Sequence, residues 1–175
     1  MRKLADAYYK LLNVLLVAAV VALLIPVTLQ MISRQTGLIP AWIWTEEMAR
    51  FFFIWLVMIG AMIGVREGTH FEVDVWPRMG ARGNAALGLV SMLFVLASAL
   101  IFVWYGIKFV QFGWNQTSEL ADLPMAWIFA AWPLAGITWL IFGLPRLRAD
   151  IRILLYGPTP HDVAVARDVG TGSLI

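Results

Sequence analysis

The chain of 175 residues is 61% hydrophobic, contains nine Trp and has a mean hydropathy of +0.80, which excludes an ordinary soluble domain, whose apolar content is nearer half. Its 13 basic and 11 acidic residues give a net charge of only +2 and are spread along the chain, which argues against nucleic-acid binding. The absence of Cys excludes disulfides and thiolate metal sites.

Four stretches are long and apolar enough to cross a bilayer as helices, which takes about 20 residues each. They are residues 11–31, 44–65, 85–112 and 123–144. We interpret the first as a retained helix, because it is too long for a signal peptide and lacks a cleavage site. The sequence therefore predicts an all-α integral membrane protein with four transmembrane helices. A transmembrane domain over residues 1–157 precedes a mobile cytoplasmic tail over residues 158–175.

Prolines interrupt two of these stretches. Pro26 lies in the first span and Pro133 in the fourth, where each removes a hydrogen bond within the helix, so we expect both helices to be kinked. Between the first two spans, Pro40-Ala41-Trp42 predicts a helix start, with Trp42 and Trp44 as anchors at the membrane interface.

The second span begins with charged residues. Its apolar part, residues 51–65, is only about 22 Å long as a helix, whereas the hydrocarbon core is about 30 Å thick. The span must therefore include Glu46, Glu47 and Arg50. Arg50 can neutralise either carboxylate across one helical turn, and an ion pair that permits burial is the simpler interpretation. The alternative is a carboxylate that carries a proton or sodium ion, for which the other spans supply few polar groups.

The same span carries two glycines at the spacing of a helix contact. Gly60 and Gly64 form a small-xxx-small pattern, which lets a partner helix approach the backbone closely. Together with the charged start, this pattern predicts an assembly helix, with its partner either inside this chain or outside it.

Charged residues also follow the second span. Arg66, His70 and Asp74 recur every four residues, and one hypothesis is a metal or proton site. We favour a solvated connection with salt bridges, because the second His of the chain, His161, lies in the tail. The sequence has no phosphate-binding loop, His-Glu-x-x-His motif or nucleophile elbow. We therefore predict neither enzyme activity nor a bound cofactor or metal.

The basic residues indicate an orientation. Most Lys and Arg lie before the first span, between the second and third spans, and after the fourth. By the positive-inside rule, both termini and the middle connection face the cytoplasm. The connection after the third span, with Glu119 and Asp122 but no basic residue, is predicted to lie on the opposite side.

The sequence resembles a known family over residues 4–156. Four spans with short connections, the motif Trp44-x-Glu46-Glu47-x-x-Arg50, the pair Gly60-Ala61 and the exit Arg66-x-Gly68-x-His70-x-x-Val73-Asp74 are similar to the small, DctQ-like membrane subunit of tripartite ATP-independent periplasmic (TRAP) transporters. The specific part of the resemblance is confined to residues 44–74.

The resemblance implies a sodium-driven importer of organic acids in a bacterial or archaeal cytoplasmic membrane. It implies two protein partners besides membrane lipids: a large membrane subunit, which holds the substrate and sodium sites, and a periplasmic substrate-binding protein. This chain would be a scaffold for the large subunit. Glu46, Glu47 and Arg50 would bind or orient at the subunit interface, and Arg66, His70 and Asp74 would shape the cytoplasmic connection.

Two other hypotheses come from the residues alone. The chain could be a self-sufficient proton-coupled exporter or channel in which Glu46 or Glu47 exchanges protons with a cation inside a homo-oligomer. It could also be a membrane anchor for a soluble enzyme, although no sequence motif supports this hypothesis.

Overall fold

The computed structural model describes residues 2–37, 40, 42–67 and 81–157. Its helices are α1 (Arg2–Thr36), α2 (Trp44–Glu67), α3 (Ala81–Trp114), α4 (Ala126–Phe129) and α5 (Ala131–Tyr156). By length and composition, α1, α2, α3 and the segment formed by α4 and α5 can each cross a membrane. The predicted fold class with four transmembrane helices is confirmed. The side on which the termini lie stays a prediction, and the predicted tail lies outside the described residues.

The turn between α1 and α2 differs from the predicted one. Gly37 follows α1 with φ of 63°, and its N–H bonds to the carbonyl of Ser33, which is a common helix end. The predicted helix start at Pro40 is wrong, because α2 begins at Trp44. The Thr45 hydroxyl donates a 2.7 Å hydrogen bond to the Trp42 carbonyl, so Trp42 belongs to the turn before the helix.

The two prolines in the spans have different outcomes. α1 continues as one helix through Pro26. The fourth span is divided at Ala130, so that Pro133 lies in the first turn of α5. A proline is tolerated there because N–H groups of a first turn have no partner within the helix. The backbone of Ala130 stays helical, with φ of −62° and ψ of −22°, so the helical conformation continues across the division and the predicted kink stays a prediction.

The long helices pack in the order α1, α2, α5, α3. α1 packs on α2, α2 packs on α5, and α5 makes its most extensive contact with α3. One buried cluster joins Leu12 of α1, Met62 of α2 and Ala135 of α5. A second cluster joins Val65 of α2 to Met92 of α3. The outward faces of α1 and α3 are apolar and exposed in this isolated chain.

Buried positions of α3 recur at seven-residue intervals, which is the spacing of helices that coil around each other in a left-handed sense. The positions at this spacing are Ala85, Met92, Ala99, Gly106 and Gly113, and Val95 and Leu96 are buried between two of them. Small residues predominate among them. Since lipid does not drive apolar helices together, small residues that permit close packing are a main source of helix association in membranes.

The backbones of α3 and α5 meet most closely at Gly136. A Cβ atom added to Gly136 would lie 2.6 Å from the carbonyl oxygen of Ala99. A Cβ added to Gly106 would lie 2.7 Å from the ring of Pro133. Both positions therefore require glycine, whereas a Cβ added to Gly60 would find Leu16 at an ordinary contact distance of 3.9 Å.

We expect Gly136→Ala to lower the thermal unfolding midpoint of the detergent-purified chain, because the added methyl group must push α3 and α5 apart. Overpacking of this kind costs about 1–3 kcal/mol. Gly60→Ala is the matched control, since it brings the same gain in helix propensity without a clash, and it should leave the midpoint unchanged or raise it. Equal midpoints for the two variants would contradict the close approach.

Candidate functional site

The start of α2 is joined by Glu47 to the loop between α3 and α4, residues 115–125. The Glu47 carboxylate accepts hydrogen bonds from the hydroxyl of Ser118 and from the backbone N–H of Leu120, the latter at 3.1 Å. Ser118 is buried, and its hydroxyl oxygen also accepts a bond from the N–H of Ala121. Glu47 therefore fastens this loop to α2.

The fastened loop has a narrow base and an acidic tip. The Ser118 N–H bonds to the Leu123 carbonyl at 2.8 Å, and the Met125 N–H bonds to the Gln116 carbonyl at 2.9 Å. Asp122 adopts a left-handed backbone conformation with φ of 51°. Glu119 and Asp122 are exposed. The loop thus presents two carboxylates to whatever lies beyond this end of the bundle.

Glu46 has different surroundings from Glu47. Arg50 lies 4.0 Å from Glu46, and the two side chains are 66% and 57% exposed, so the pair is weak. Of the two pairings that the sequence allowed for Arg50, the described salt bridge is the one to Glu46. In the isolated chain both side chains of this pair are open to a further partner.

The other end of α2 is joined to α1 by Arg66. The guanidinium donates a 2.7 Å hydrogen bond to the carbonyl of Ala5 and another to the carboxylate of Asp6. It also lies 4.1 Å from the centroid of the Tyr9 ring, in cation–π contact. The Tyr9 hydroxyl donates to the carboxylate of Glu67. Arg66 therefore belongs to a contact between helices.

Sequence reasoning did not identify the partners of Arg66 on α1. Asp6 and Tyr9 lie three residues apart on one face of α1, which is the only local sign of their shared contact. His70 and Asp74 lie outside the described residues, so their predicted place in the connection stays a prediction.

The glycine pair lies between these two ends and faces the interior of the chain. Gly64 is buried, and Gly60 is partly buried beside Leu16 of α1. The small residues thus contribute to the packing of α1 on α2. Any role of this pair at a contact with another subunit stays a prediction.

Polar groups also join the helices in the interior. The hydroxyls of Tyr8 and Thr138 are 2.7 Å apart, and Thr138 is 1% exposed. The indole N–H of Trp139 donates a 3.3 Å hydrogen bond to the carbonyl of Ala61. These bonds connect α5 to α1 and to α2. The partner of Thr138 is 130 residues away in the chain, so the sequence carries no local sign of this contact.

The described residues contain no group of three or more His, Asp or Glu side chains placed to hold a metal ion. What the arrangement offers chemically is a carboxylate-held loop and an exposed ion pair at one end of the bundle, and an arginine-centred contact at the other end.

Comparison with known proteins gives a family match over most of the described chain. The model of the DctQ component of tripartite ATP-independent periplasmic transporters matches residues 23–153. A putative TRAP transporter small permease protein of Haemophilus influenzae is 29% identical over 159 residues, which cover 90% of this chain and 98% of the relative. The sialic acid TRAP transporter small permease protein SiaQ of Vibrio cholerae is 24% identical, with 89% and 88% covered.

A third relative is a much longer protein. The isethionate TRAP transporter permease protein DctMQ of Oleidesulfovibrio alaskensis is 28% identical over 147 residues. The match covers 79% of this chain but only 23% of that relative. The chain therefore spans about a quarter of the longer relative and nearly the full length of the two small permeases.

We expect Glu47→Ala to release the loop from α2. Amide hydrogen exchange at Leu120 and its neighbours should become several-fold faster, because a loop that loses its anchoring hydrogen bonds opens more often. Glu46→Ala is the control, since Glu46 makes no described contact with the loop, and exchange in the loop should stay unchanged. Slow exchange in the Glu47 variant would show that the loop is held by other contacts.

We expect Arg66→Lys to destabilise the chain by about 1–3 kcal/mol, because lysine keeps the charge but cannot bond Ala5 and Asp6 together while it stacks on Tyr9. The measurement is the thermal unfolding midpoint in detergent. Arg148→Lys, at an exposed position of α5, is the control and should leave the midpoint unchanged. A midpoint unaffected by Arg66→Lys would mean that this contact adds little to stability.

Proposed function

Because the chain belongs to the DctQ component family of tripartite ATP-independent periplasmic transporters, we propose that it is the small permease subunit of a sodium-driven importer of organic acids. The family is one of multi-pass membrane transporter components rather than of enzymes. In this proposal the chain is a scaffold for a large membrane subunit. The sodium ions bind in the large subunit, and this chain holds no cofactor.

The observation that carries the scaffold role is the way in which α2 is fastened. Glu47 ties its start to the loop before α4, and Arg66 ties its end to α1. Between them, the indole of Trp139 ties its middle to α5. These described polar groups join parts of the chain to one another. A helix that is bonded to its neighbours at its start, middle and end suits a fixed support better than a moving transport element.

The proposed partner in the membrane is a large subunit. Its support is the longer relative, in which the part similar to this chain is only 23% of the protein. We propose that Glu46, Glu47 and Arg50 bind or orient at the contact with this subunit. The exposed pair of Glu46 and Arg50 is free to exchange its weak mutual contact for partners on the large subunit.

The proposals for the substrate class and the second partner rest on the relatives and on the predicted orientation. The names of two relatives specify isethionate and sialic acid, which are both organic acids. We propose that the choice among such acids rests with a periplasmic substrate-binding protein, which meets the loop bearing Glu119 and Asp122. The termini then lie in the cytoplasm, and the membrane is the cytoplasmic membrane of a bacterium or archaeon.

The experiment that tests the proposal is uptake of labelled organic acids into proteoliposomes with the binding protein and a sodium gradient. We expect uptake only when this chain and the large subunit are both present. Uptake by this chain alone would overturn the scaffold role and favour the proton-coupled exporter with Glu46 or Glu47 as its working carboxylate.

Assembly is measured in parallel by co-purification of the two subunits. Glu46→Gln should weaken the association several-fold, because a neutral amide cannot pair with a basic group of the large subunit. Glu119→Gln, which changes an exposed carboxylate of the α3–α4 loop, is the control and should leave the association unchanged. Full assembly with both variants would remove Glu46 from the proposed interface.

A further inference from the structure

A surface cavity of about 150 Å³ lies between the last turns of α1 and the start of α2. Its lining combines polar and apolar side chains, among them Gln30, Arg34, Glu46, Leu29, Trp42 and Ile43. Drug-sized ligands occupy pockets of about 300–1,000 Å³, so this cavity has room for a small polar group only.

Two oppositely charged side chains, Arg34 and Glu46, line the cavity and have few polar contacts within the chain. Within the described part of the chain, Arg34 has no salt-bridge partner. Glu46 has only the long and exposed contact with Arg50, at 4.0 Å. A ligand that carries a negative and a positive group a few ångströms apart could therefore satisfy both side chains.

Aromatic side chains place the cavity at the depth of lipid headgroups. Trp42, which lines the cavity, stacks on Trp44 with ring centroids 6.2 Å apart. The two rings are 45% and 43% exposed. Exposed Trp side chains at the end of a membrane span are typical of the interface, where the ring meets both acyl chains and headgroups.

An apolar surface continues from the cavity along α1. Leu24, Val27 and Met31 are 56%, 43% and 60% exposed and share one face of α1 with Arg34, at spacings of three or four residues. Such a surface fits the acyl chains of a ligand whose headgroup is held at the end of the helix.

We propose that this cavity binds the headgroup of a zwitterionic phospholipid such as phosphatidylethanolamine. The lipid phosphate binds the guanidinium of Arg34, and the lipid ammonium binds the carboxylate of Glu46. An anionic lipid such as phosphatidylglycerol shares the phosphate but offers no cation to Glu46. The cavity therefore selects phosphatidylethanolamine over phosphatidylglycerol. The inference concerns the isolated chain, in which the Glu46 side chain is exposed, and the large subunit proposed above would compete for the same carboxylate.

The test is native mass spectrometry of the full chain in detergent, with phosphatidylethanolamine and phosphatidylglycerol of identical acyl chains supplied together. We expect the unmodified chain to retain phosphatidylethanolamine several-fold more than phosphatidylglycerol. Glu46→Gln should bring this ratio close to one, because the ammonium loses its partner. Arg34→Gln should lower retention of both lipids, because both need the cation for their phosphate.

Lys108→Gln is the matched control, since Lys108 lies beside Trp104 and Tyr105 and does not line the cavity. It should leave the lipid ratio unchanged. Equal retention of the two lipids by the unmodified chain, or an unchanged ratio in Glu46→Gln, would overturn the proposal.

Soluble phosphoethanolamine is added as a competitor at the lipid concentration. Displacement of the lipid by this competitor would show a site for a small solute instead. Circular dichroism of each variant verifies that the helices are intact.

Discussion

The close contact of α3 and α5 is the constraint on which the rest of the bundle depends. Inside a bilayer, apolar side chains gain nothing by leaving lipid for another helix, so association relies on tight packing and on polar contacts. Gly136 supplies the tight packing, because its α-carbon lies directly against the backbone of α3 at Ala99. With α5 fixed in this way, Thr138 and Trp139 can reach α1 and α2. The position of α2, and with it that of Glu47 and Arg66, follows from this order of contacts.

The two ends of the bundle use charge differently. At one end Arg66 contacts a carbonyl, a carboxylate and an aromatic ring of α1, so its charge is engaged within the chain. At the other end Glu46 and Arg50 remain mostly exposed. Since an exposed pair contributes little to folding, these two side chains can change partners at small cost. Of the two charged ends of α2, the start is therefore the one whose charges stay available to other molecules.

The sequence predicted the four spans because the thickness of the bilayer dictates the length of an apolar helix. It also identified the charged start of α2, because the apolar residues alone are too short to cross the bilayer and the helix must include the residues before them. Pro133 indicated an interruption of the fourth span, but hydropathy alone could not place it at Ala130. The contacts of Tyr8 with Thr138 and of Asp6 with Arg66 join distant parts of the chain and leave no local pattern.

The packing order α1, α2, α5, α3 has a consequence for how the protein is made. During synthesis, α1 and α2 emerge first and can pair at once, whereas the main packing partner of α3 is α5, which follows it in the chain. Until α5 has entered the membrane, the small-residue face of α3 is turned to lipid or to the insertion machinery. The face of α3 that α5 covers is therefore the last to be buried, and a chain that stopped before α5 would lack the helix that joins α3 to α2.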